Sequence, residues 1–324
     1  MSTPLIAAVM ALALAAAFVR ALWSDRLAGL VLDIPNDRSL HSRPIPRTGG
    51  IGLMLAVAVT LLVFPGAPKS IIAPAVLLAG VFLIDDVRGL PVLPRFVAQF
   101  AAAIAFLAVS GPYASWLLPF LALGIVWSIN LYNFMDGSNG LAGGMAVIGF
   151  AAYAIASVGA GDHELALLSA VVAGAAAGFL VWNFDPARIF LGDAGSIPLG
   201  FMAATIGVLG WDRGDWPFWF PALVFATFIV DSGLTLAKRI LHRENPFQAH
   251  RSHYYQRLIR MGWSHGRLAF SAYALMVATS LSALWLRNGS FSIKLLGIAI
   301  WAAVLAALAL AIDLRWRASP VRGQ

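Results

Sequence analysis

Apolar stretches of the length of a membrane-spanning helix recur along all 324 residues of this chain, and they constrain its fold more than any other feature. A spanning helix needs about 20 largely apolar residues. Only 11% of the residues are charged and 60% are hydrophobic, whereas soluble domains are about 25% charged, so a soluble globular enzyme is excluded. The sequence predicts an all-α, polytopic integral membrane protein of about eleven transmembrane helices, forming a single domain over residues 1–324. The predicted spans are residues 4–24, 49–65, 70–84, 96–112, 114–130, 140–160, 165–182, 195–211, 217–236, 267–286 and 291–313.

The basic residues predict the orientation, because Lys and Arg accumulate in cytoplasmic loops. If the loop 25–48 is cytoplasmic, the N-terminus lies outside and the C-terminus inside. The first stretch is then a retained helix, since it has no basic residue before Arg20 and therefore does not look like a signal peptide. Nearly all the unusual polar residues fall in the inside loops, so we expect an active site at the cytoplasmic face. The basic residues left on the outer side are Lys69, Arg213, Arg287 and Lys294.

The loop before the second predicted span combines prolines with arginines. Pro44 and Pro46 disfavour a helix. Arg38, Arg43 and Arg47 are suited to hold a phosphate-rich ligand through charge-assisted hydrogen bonds. An ordinary basic loop beside anionic lipid headgroups explains the same residues, and composition alone does not decide between the two.

Two adjacent acids, Asp85 and Asp86, follow the third predicted span, which Ile84 closes. The C-terminal end of a helix already carries partial negative charge, and burial of two like charges beside hydrocarbon is costly. We therefore expect a cation, a metal ion or a reaction here. A solvated loop with a salt bridge to Arg88 is the alternative.

A third polar segment carries Asn130, Asn133 and Asp136 at intervals of three residues, which predicts one shared helix face. Their oxygens suit Mg²⁺, which keeps several waters and takes one or two protein ligands together with substrate phosphates. A cap on the next helix by Asp136 or Ser138 is the alternative, but it leaves both asparagines unexplained.

Asp193 lies between glycines just before the eighth predicted span. A helix N-terminus attracts anions, and a carboxylate beside it can hold a metal ion that the anion also binds. A simple N-cap by Asp193 or Ser196 explains the pattern equally well.

The most polar inside loop contains His250, Arg251 and His253, a cationic or hydrogen-bonding cluster. An interfacial helix attracted to anionic lipid is the alternative, and zinc is discounted because no third zinc-type ligand adjoins the histidines. Asp231, an intramembrane acid, is a functional or ion-pair candidate, with Arg239 as its expected partner. The chain has no cysteine, which excludes a thiolate metal site and a cysteine nucleophile.

In their order and spacing these segments resemble the polyprenyl-phosphate N-acetylhexosamine-1-phosphate transferases. The resemblance implies eleven spans with a cytoplasmic active site. It also implies attack of a lipid phosphate on a nucleotide-activated sugar, which releases UMP and leaves the sugar on a polyprenyl diphosphate. The motifs are Asp85-Asp86, Asn130-x-x-Asn133-x-x-Asp136-Gly-x-x-Gly140-Leu-Ala, Gly192-Asp193-x-Gly-Ser196 and His250-Arg-x-His253.

The resemblance also implies roles for single residues. Asn133 and Asp193 would hold Mg²⁺, with Mn²⁺ as an alternative. The catalytic set it implies is Asp85, Asp86, Asp136, Asp193 and His253, in which Asp85 and Asp86 lie near the lipid phosphate. The substrate-binding set is Arg47, Arg95 for the lipid phosphate, Asn139 and Phe190 for uracil, and His250 and Arg251 for the diphosphate.

The loop His250-Arg-Ser-His253-Tyr-Tyr resembles the branch that begins O-antigen or other surface-polysaccharide repeats, rather than the peptidoglycan translocase with its adjacent histidines. The expected substrates are undecaprenyl phosphate and a UDP-N-acetylhexosamine or its 6-deoxy analogue, in the bacterial inner membrane. No nucleic acid is expected, and a homodimer is left open. A transporter or flippase is the main alternative, although the acids lie at span ends rather than at the midplane. A CDP-alcohol phosphotransferase and a lipid-binding scaffold explain fewer of the motifs.

Overall fold

The fold was obtained as a computed structural model that describes residues 3–24, 31–35, 43–245 and 250–320. Within these ranges the chain forms thirteen helices and one antiparallel hairpin of β1 (Leu32–Asp33) with β2 (Ile45–Pro46). Arg38, predicted to bind phosphate, lies outside the described residues. The helices are α1 (Thr3–Leu22), α2 (Gly49–Val63), α3 (Lys69–Arg88), α4 (Val92–Ser110), α5 (Leu118–Phe134), α6 (Leu141–Ala160), α7 (His163–Asn183), α8 (Asp193–Asp212), α9 (Phe220–Val224), α10 (Ala226–Leu241), α11 (Tyr254–Arg260), α12 (His265–Leu286) and α13 (Phe291–Ala318).

Eight of these helices are long and apolar enough to cross a membrane, namely α1, α3, α4, α6, α7, α8, α12 and α13. Helices α2 and α5 are apolar but shorter. The predicted span 217–236 is divided between α9 and α10, which meet at Phe225. The expected all-helical, multi-pass membrane protein is therefore confirmed.

Helix α8 lies at the centre of the helices that carry the predicted site. It is the most buried of the eight long apolar helices, and small residues allow its neighbours to approach closely, as in other membrane interfaces. A Cβ atom added to Gly50 of α2 would lie 2.4 Å from the Cα atom of Gly195, and one added to Gly200 would lie 2.8 Å from the Cα atom of Ile129 in α5. Contacts with α3 are also extensive. The start of α8 is thus enclosed by the start of α2 and the ends of α3 and α5.

Candidate active site

Main-chain pairing brings the proline-rich loop against the segment that leads into α8. The N–H of Phe190 donates to the carbonyl of Pro46 at 2.7 Å, and the N–H of Gly49 donates to the carbonyl of Phe190 at 2.9 Å. Gly192, the residue before α8, has φ +73°, and a Cβ there would lie 2.4 Å from the carbonyl oxygen of Arg47. Only glycine fits this close approach without strain. The predicted Arg47 and Asp193 are brought together in this way.

Asp86 caps helix α8 from a neighbouring helix. Its Oδ1 accepts from the N–H of Asp193 at 3.2 Å, and its Oδ2 accepts from the N–H of Ala194 at 3.0 Å. Arg47 pairs with the same carboxylate at 2.8 Å. Helix α3 continues past the predicted span 70–84 to Arg88, so both acids lie in its last turn. The unfavourable position of an acid at a helix C-terminus is offset by these three donors.

The adjacent Asp85 contacts a different set of groups. Its Oδ1 accepts from the Nη2 of Arg95 at 2.8 Å and from the N–H of Leu90 at 2.6 Å. Its Oδ2 lies 2.8 Å from the Nε of Arg95, which donates its hydrogen bond to the carbonyl of Leu90. The Asp85 side chain is almost fully buried. Its partner is Arg95 rather than Arg88, so the alternative of a salt bridge to Arg88 in a solvated loop is wrong, and the expected cation is Arg95. The guanidinium predicted for the lipid phosphate is therefore held in place by an acid.

Two further carboxylates lie beside Arg47. Asp193 Oδ1 is 3.2 Å from its guanidinium, and Asp136 lies near enough to interact electrostatically with Arg47, Asp86 and Asp193. Burial, followed by the charge of Asp193, raises the pKa of Asp136 well above its usual range, although Arg47 opposes the shift. Asp86 and Asp193 thus both pair with one guanidinium, with Asp136 nearby, and carboxyl groups outnumber the cation there.

The predicted Asn/Asp ladder is only partly helical. Helix α5 ends at Phe134, so Asp136 lies in the following loop, and the expectation of one shared helix face is wrong for it. Asn130 donates to Gln99 of α4 at 2.7 Å. Asn133 accepts from the hydroxyl of Ser196 in α8 at 2.9 Å. Neither Asp136 nor Ser138 provides a side-chain cap for α6, whose N-cap is Gly140, and neither Asp193 nor Ser196 caps α8, whose N-cap is Gly192.

The donor set suits a hard divalent cation. Carboxylate and amide oxygens of Asp193 and Asn133 lie at the start of α8, and the local carboxylates outnumber the one guanidinium. No group of three His, Cys, Asp or Glu side chains is arranged as a complete metal site among the described residues. Mg²⁺ does not need one, because it keeps waters and uses substrate phosphates as ligands.

Asn139 and Phe190, predicted to contact uracil, lie at the rim of the same region. The amide of Asn139 donates to Asp185 at 3.0 Å, and the other oxygen of Asp185 accepts from the N–H of Gly266 at 2.9 Å. Ser138 lies 2.8 Å from Nδ1 of His265. The loop after α5 is thereby fastened to the start of α12, a link that the sequence did not predict.

The histidine loop reaches this region through α11. The hydroxyl of Tyr255 donates to the carbonyl of Phe134 at 3.1 Å, and the Phe134 ring lies 5.9 Å from the ring of His253. A Cβ on Gly137 would lie 2.1 Å from the Tyr255 hydroxyl oxygen. Tyr255 was not among the predicted site residues, although its position just after the His250-Arg-x-His253 motif was a signal.

Within this loop, His250 is neutral near pH 7. Burial, reinforced by His253 and two nearby arginines, lowers its pKa to about 4. Its Nδ1 accepts from the N–H of Ser252 at 3.3 Å, so the ring proton is on Nε2. Arg251 has no acidic partner among the residues that the structure describes. His250 and Arg251 together offer one neutral hydrogen-bond donor, the Nε2–H group, and one cation, the guanidinium.

The predicted ion pair between Asp231 and Arg239 is wrong. Arg239 pairs with Glu244 at 2.8 Å and also donates to the carbonyl of Asn245 at 2.8 Å. Asp231 contacts His253 instead, at 3.2 Å. His253 lies 22 residues after Asp231 and outside α10, so the helical spacing that predicted Arg239 could not identify it.

Comparison with known proteins agrees with this geometry. The family model described as glycosyl transferase family 4 matches residues 69–210. The chain is 28% identical to the probable undecaprenyl-phosphate N-acetylglucosaminyl 1-phosphate transferase of Bacillus subtilis, over 82% of this chain and 79% of the relative. It is 31% identical to the decaprenyl-phosphate N-acetylglucosaminephosphotransferase of Mycobacterium tuberculosis, over 74% and 71%.

A more distant branch is represented as well. The phospho-N-acetylmuramoyl-pentapeptide-transferase of Staphylococcus aureus is 28% identical, over 74% of this chain and 84% of the relative. These matches cover most of each protein, and the family model spans the segments that carry Asp85, Asp86, Asn133, Asp136 and Asp193. The chain therefore belongs to glycosyl transferase family 4, among the polyprenyl-phosphate N-acetylhexosamine-1-phosphate transferases.

Proposed function

We propose that this protein transfers a sugar-1-phosphate from a UDP-sugar to undecaprenyl phosphate. An oxygen of the lipid phosphate forms a bond to the phosphorus next to the sugar, and the bond from that phosphorus to the oxygen of UMP breaks. The products are undecaprenyl-diphosphate-sugar and UMP. One phosphoanhydride replaces another, so the reaction is close to balanced and reversible.

The observation that carries the proposal is the pairing of both Asp86 and Asp193 with Arg47 at the start of α8, with Asp136 nearby. Phosphoryl transfer is catalysed mainly by positioning and by stabilisation of charge. A guanidinium and surrounding oxygens can hold a diphosphate and its counter-cation in one place. A lipid phosphate is already ionised near neutral pH, so Asp85 or Asp86 as a base is the weaker part of the proposal.

The site fits Mg²⁺ or Mn²⁺, for which Asn133 and Asp193 are the proposed protein ligands. The metal ion would neutralise charge on the diphosphate and stabilise the departing UMP phosphate. The excess of buried carboxylate over cation is the property that supports this assignment.

An apolar groove of about 620 Å³ provides room for the lipid acceptor. It runs between α5, α8 and the broken α9–α10 pair. Tyr132, which lines it, immediately precedes Asn133. A polyprenyl chain in this groove would place its phosphate toward Asp86, Asp136 and Asp193. Other residues along the groove include Trp116, Phe120, Ser128, Trp211 and Phe218.

The remaining residues are proposed to bind the donor. Arg251 lacks an acidic partner among the described residues and is the candidate for the diphosphate, together with His253 and the Nε2–H of His250. Asn139 and Phe190 are proposed for uracil. Arg95, oriented by Asp85, remains the candidate for the lipid phosphate.

The finer proposals concern topology and pathway. We propose eleven crossings of a bacterial inner membrane, with the N-terminus outside and the site at the cytoplasmic face, and initiation of O-antigen or another surface polysaccharide. Because the chain has no cysteine, single cysteines can test the topology. A cysteine at Ala67 should react with a membrane-impermeant maleimide in intact cells, whereas one at Arg260 should react only after permeabilisation; the reverse pattern would contradict the orientation.

Release of UMP tests the reaction. Purified protein is incubated with undecaprenyl phosphate and, in turn, UDP-N-acetylglucosamine and 6-deoxy-N-acetylhexosamine UDP-sugars, with Mg²⁺, with Mn²⁺ or with chelator. We expect release that requires both lipid and metal, and the best sugar identifies the donor. Folded protein that releases no UMP with any of these sugars would contradict the proposed reaction.

A further inference from the structure

Asp231 is a buried acid of α10 whose hydrogen bonds all lead to one neighbouring segment, apart from a long contact with Thr235 in its own helix at 3.4 Å. It accepts from the N–H groups of Tyr254 and Tyr255, each at 2.9 Å, and lies 3.2 Å from Nδ1 of His253. These are the first residues of α11 and the residue before it. One carboxylate therefore fixes both the main chain and the histidine ring.

The contact determines which nitrogen of His253 carries a proton. A carboxylate oxygen can only accept, so Nδ1 must donate and Nε2 is left for another partner. Three rings restrict the imidazole: Tyr255 stacks at 5.9 Å between centroids, Phe134 lies at 5.9 Å and His250 at 5.0 Å. The direction in which Nε2 points is thus set by Asp231 and by these rings.

We propose that Asp231 is a positioning residue, which acts through His253 by holding its Nδ1–H form and directing Nε2 toward the substrate phosphates. This inference rests on the proposed function, in which His253 binds phosphate. Partners that orient a metal-bound histidine typically contribute about 10–100-fold to metal affinity or activity, and we expect a factor of the same order for His253.

A purely structural role for Asp231 in holding α11 is the competing explanation, and the chain contains a matched control. Asp313 of α13 also fastens α11, because it accepts from Arg257 at 2.8 Å and from the hydroxyl of Tyr254 at 3.2 Å. Its hydrogen bonds do not include His253. If Asp231 only holds the helix, the two acids should behave alike.

The test is a double-mutant cycle on UMP release at saturating and limiting UDP-sugar. Asp231→Asn should lower kcat/KM by about 10–100-fold when His253 is present, but by less than about 2-fold in a His253→Ala background. Asp313→Asn should lower kcat/KM by the same factor in the protein with His253 and in the His253→Ala variant. Equal losses for Asp231→Asn in the two backgrounds would overturn the proposal.

A second measurement needs no variant of Asp231. Nitrogen-15 NMR of the histidine-labelled protein, with the His253 signal assigned by its loss in His253→Ala, should show the proton on Nδ1. A neutral His253 with its proton on Nε2 would also overturn the inference. Unmodified protein that releases no UMP would instead contradict the proposed function, and the NMR result would still decide the Asp231 contact.

Discussion

Asp86 and Asp193, which are 107 positions apart, meet where the carboxylate of Asp86 accepts the first backbone N–H of α8 at 3.2 Å. The same carboxylate pairs with Arg47 at 2.8 Å, and Arg47 also reaches the side chain of Asp193. Two acids thus share one guanidinium at a helix N-terminus, where partial positive charge favours anions. A polyphosphate that enters this site would meet the same donors.

Neutralising either acid should abolish turnover while leaving the protein folded. Asp86→Asn and Asp193→Asn preserve side-chain size but remove a charge from the centre of the site, so we expect losses of at least about 100-fold in kcat. UMP release measures the effect. Arg88→Gln is the control, because Arg88 is exposed on the last turn of the same helix and should leave activity within about 2-fold of the unmodified protein. Near-normal turnover in either Asn variant would remove that acid from the site.

Arg95 and Asp85 should show strong coupling in stability. Arg95→Ala leaves the buried Asp85 carboxylate without its ion-pair partner, which costs about 1–3 kcal/mol. The double variant Asp85→Asn with Arg95→Ala removes both charges and should cost less than the sum of the two single changes, Asp85→Asn and Arg95→Ala. Thermal unfolding in detergent gives the three values, and simple additivity would contradict the coupling.

Arg95→Ala should also weaken use of the lipid phosphate. If the guanidinium held by Asp85 receives this group, the KM for undecaprenyl phosphate should rise by about 10-fold or more, the cost of one charge-assisted hydrogen bond. The KM for the UDP-sugar should change little. An unchanged KM for undecaprenyl phosphate would show that Arg95 pairs with Asp85 but does not bind the lipid phosphate.

The crossing of α2 and α8 should not tolerate a methyl group. Gly195→Ala would place its Cβ 2.7 Å from the Cα atom of Gly50, so we expect destabilisation of about 1–3 kcal/mol and loss of activity, because the start of α8 would move. Gly80→Ala in α3 is the control, since a Cβ there meets nothing within 4 Å. Melting temperatures compare the two, and equal values would contradict the tight crossing.

The sequence predicted the helices well. Backbone N–H and C=O groups within a membrane must be hydrogen-bonded internally, so an apolar stretch of spanning length forms a helix. The main departure is at Phe225, where the ninth predicted span divides into α9 and α10. Hydropathy does not detect such a break, because both parts are apolar.

Side-chain partners were less predictable. Asp85 and Asp86 are neighbours in sequence, yet one contacts Arg95 and the other contacts Arg47 and the backbone of α8. Asp231 likewise contacts His253, whereas Arg239, its predicted partner, pairs with Glu244. Helix spacing indicates which residues share a face, but these partners belong to different helices and are brought together by packing of the whole chain.

On the side of the molecule away from the site, Asp215 should make stability depend on pH. Arg213 bridges Asp162 at 2.7 Å and Glu164 at 3.0 Å. Burial, followed by the nearby charge of Asp162, raises the pKa of Asp215 from 3.8 to about 6. Between these values the folded protein holds a proton that the unfolded chain has lost, so this contribution to stability is complete below about pH 4 and is lost as the pH rises through 6.

Asp215→Asn removes the titrating group and should therefore flatten this part of the pH dependence. The melting temperature of the variant should exceed that of the unmodified protein at pH 7, and the difference should shrink toward pH 4 because the unmodified carboxyl is then protonated. Thermal unfolding from pH 4 to 8 measures both curves. Glu164→Gln is the control, since it changes another acid of the same cluster but leaves Asp215 in place. A constant difference between the Asp215→Asn and unmodified curves across this range would show that Asp215 does not titrate near pH 6.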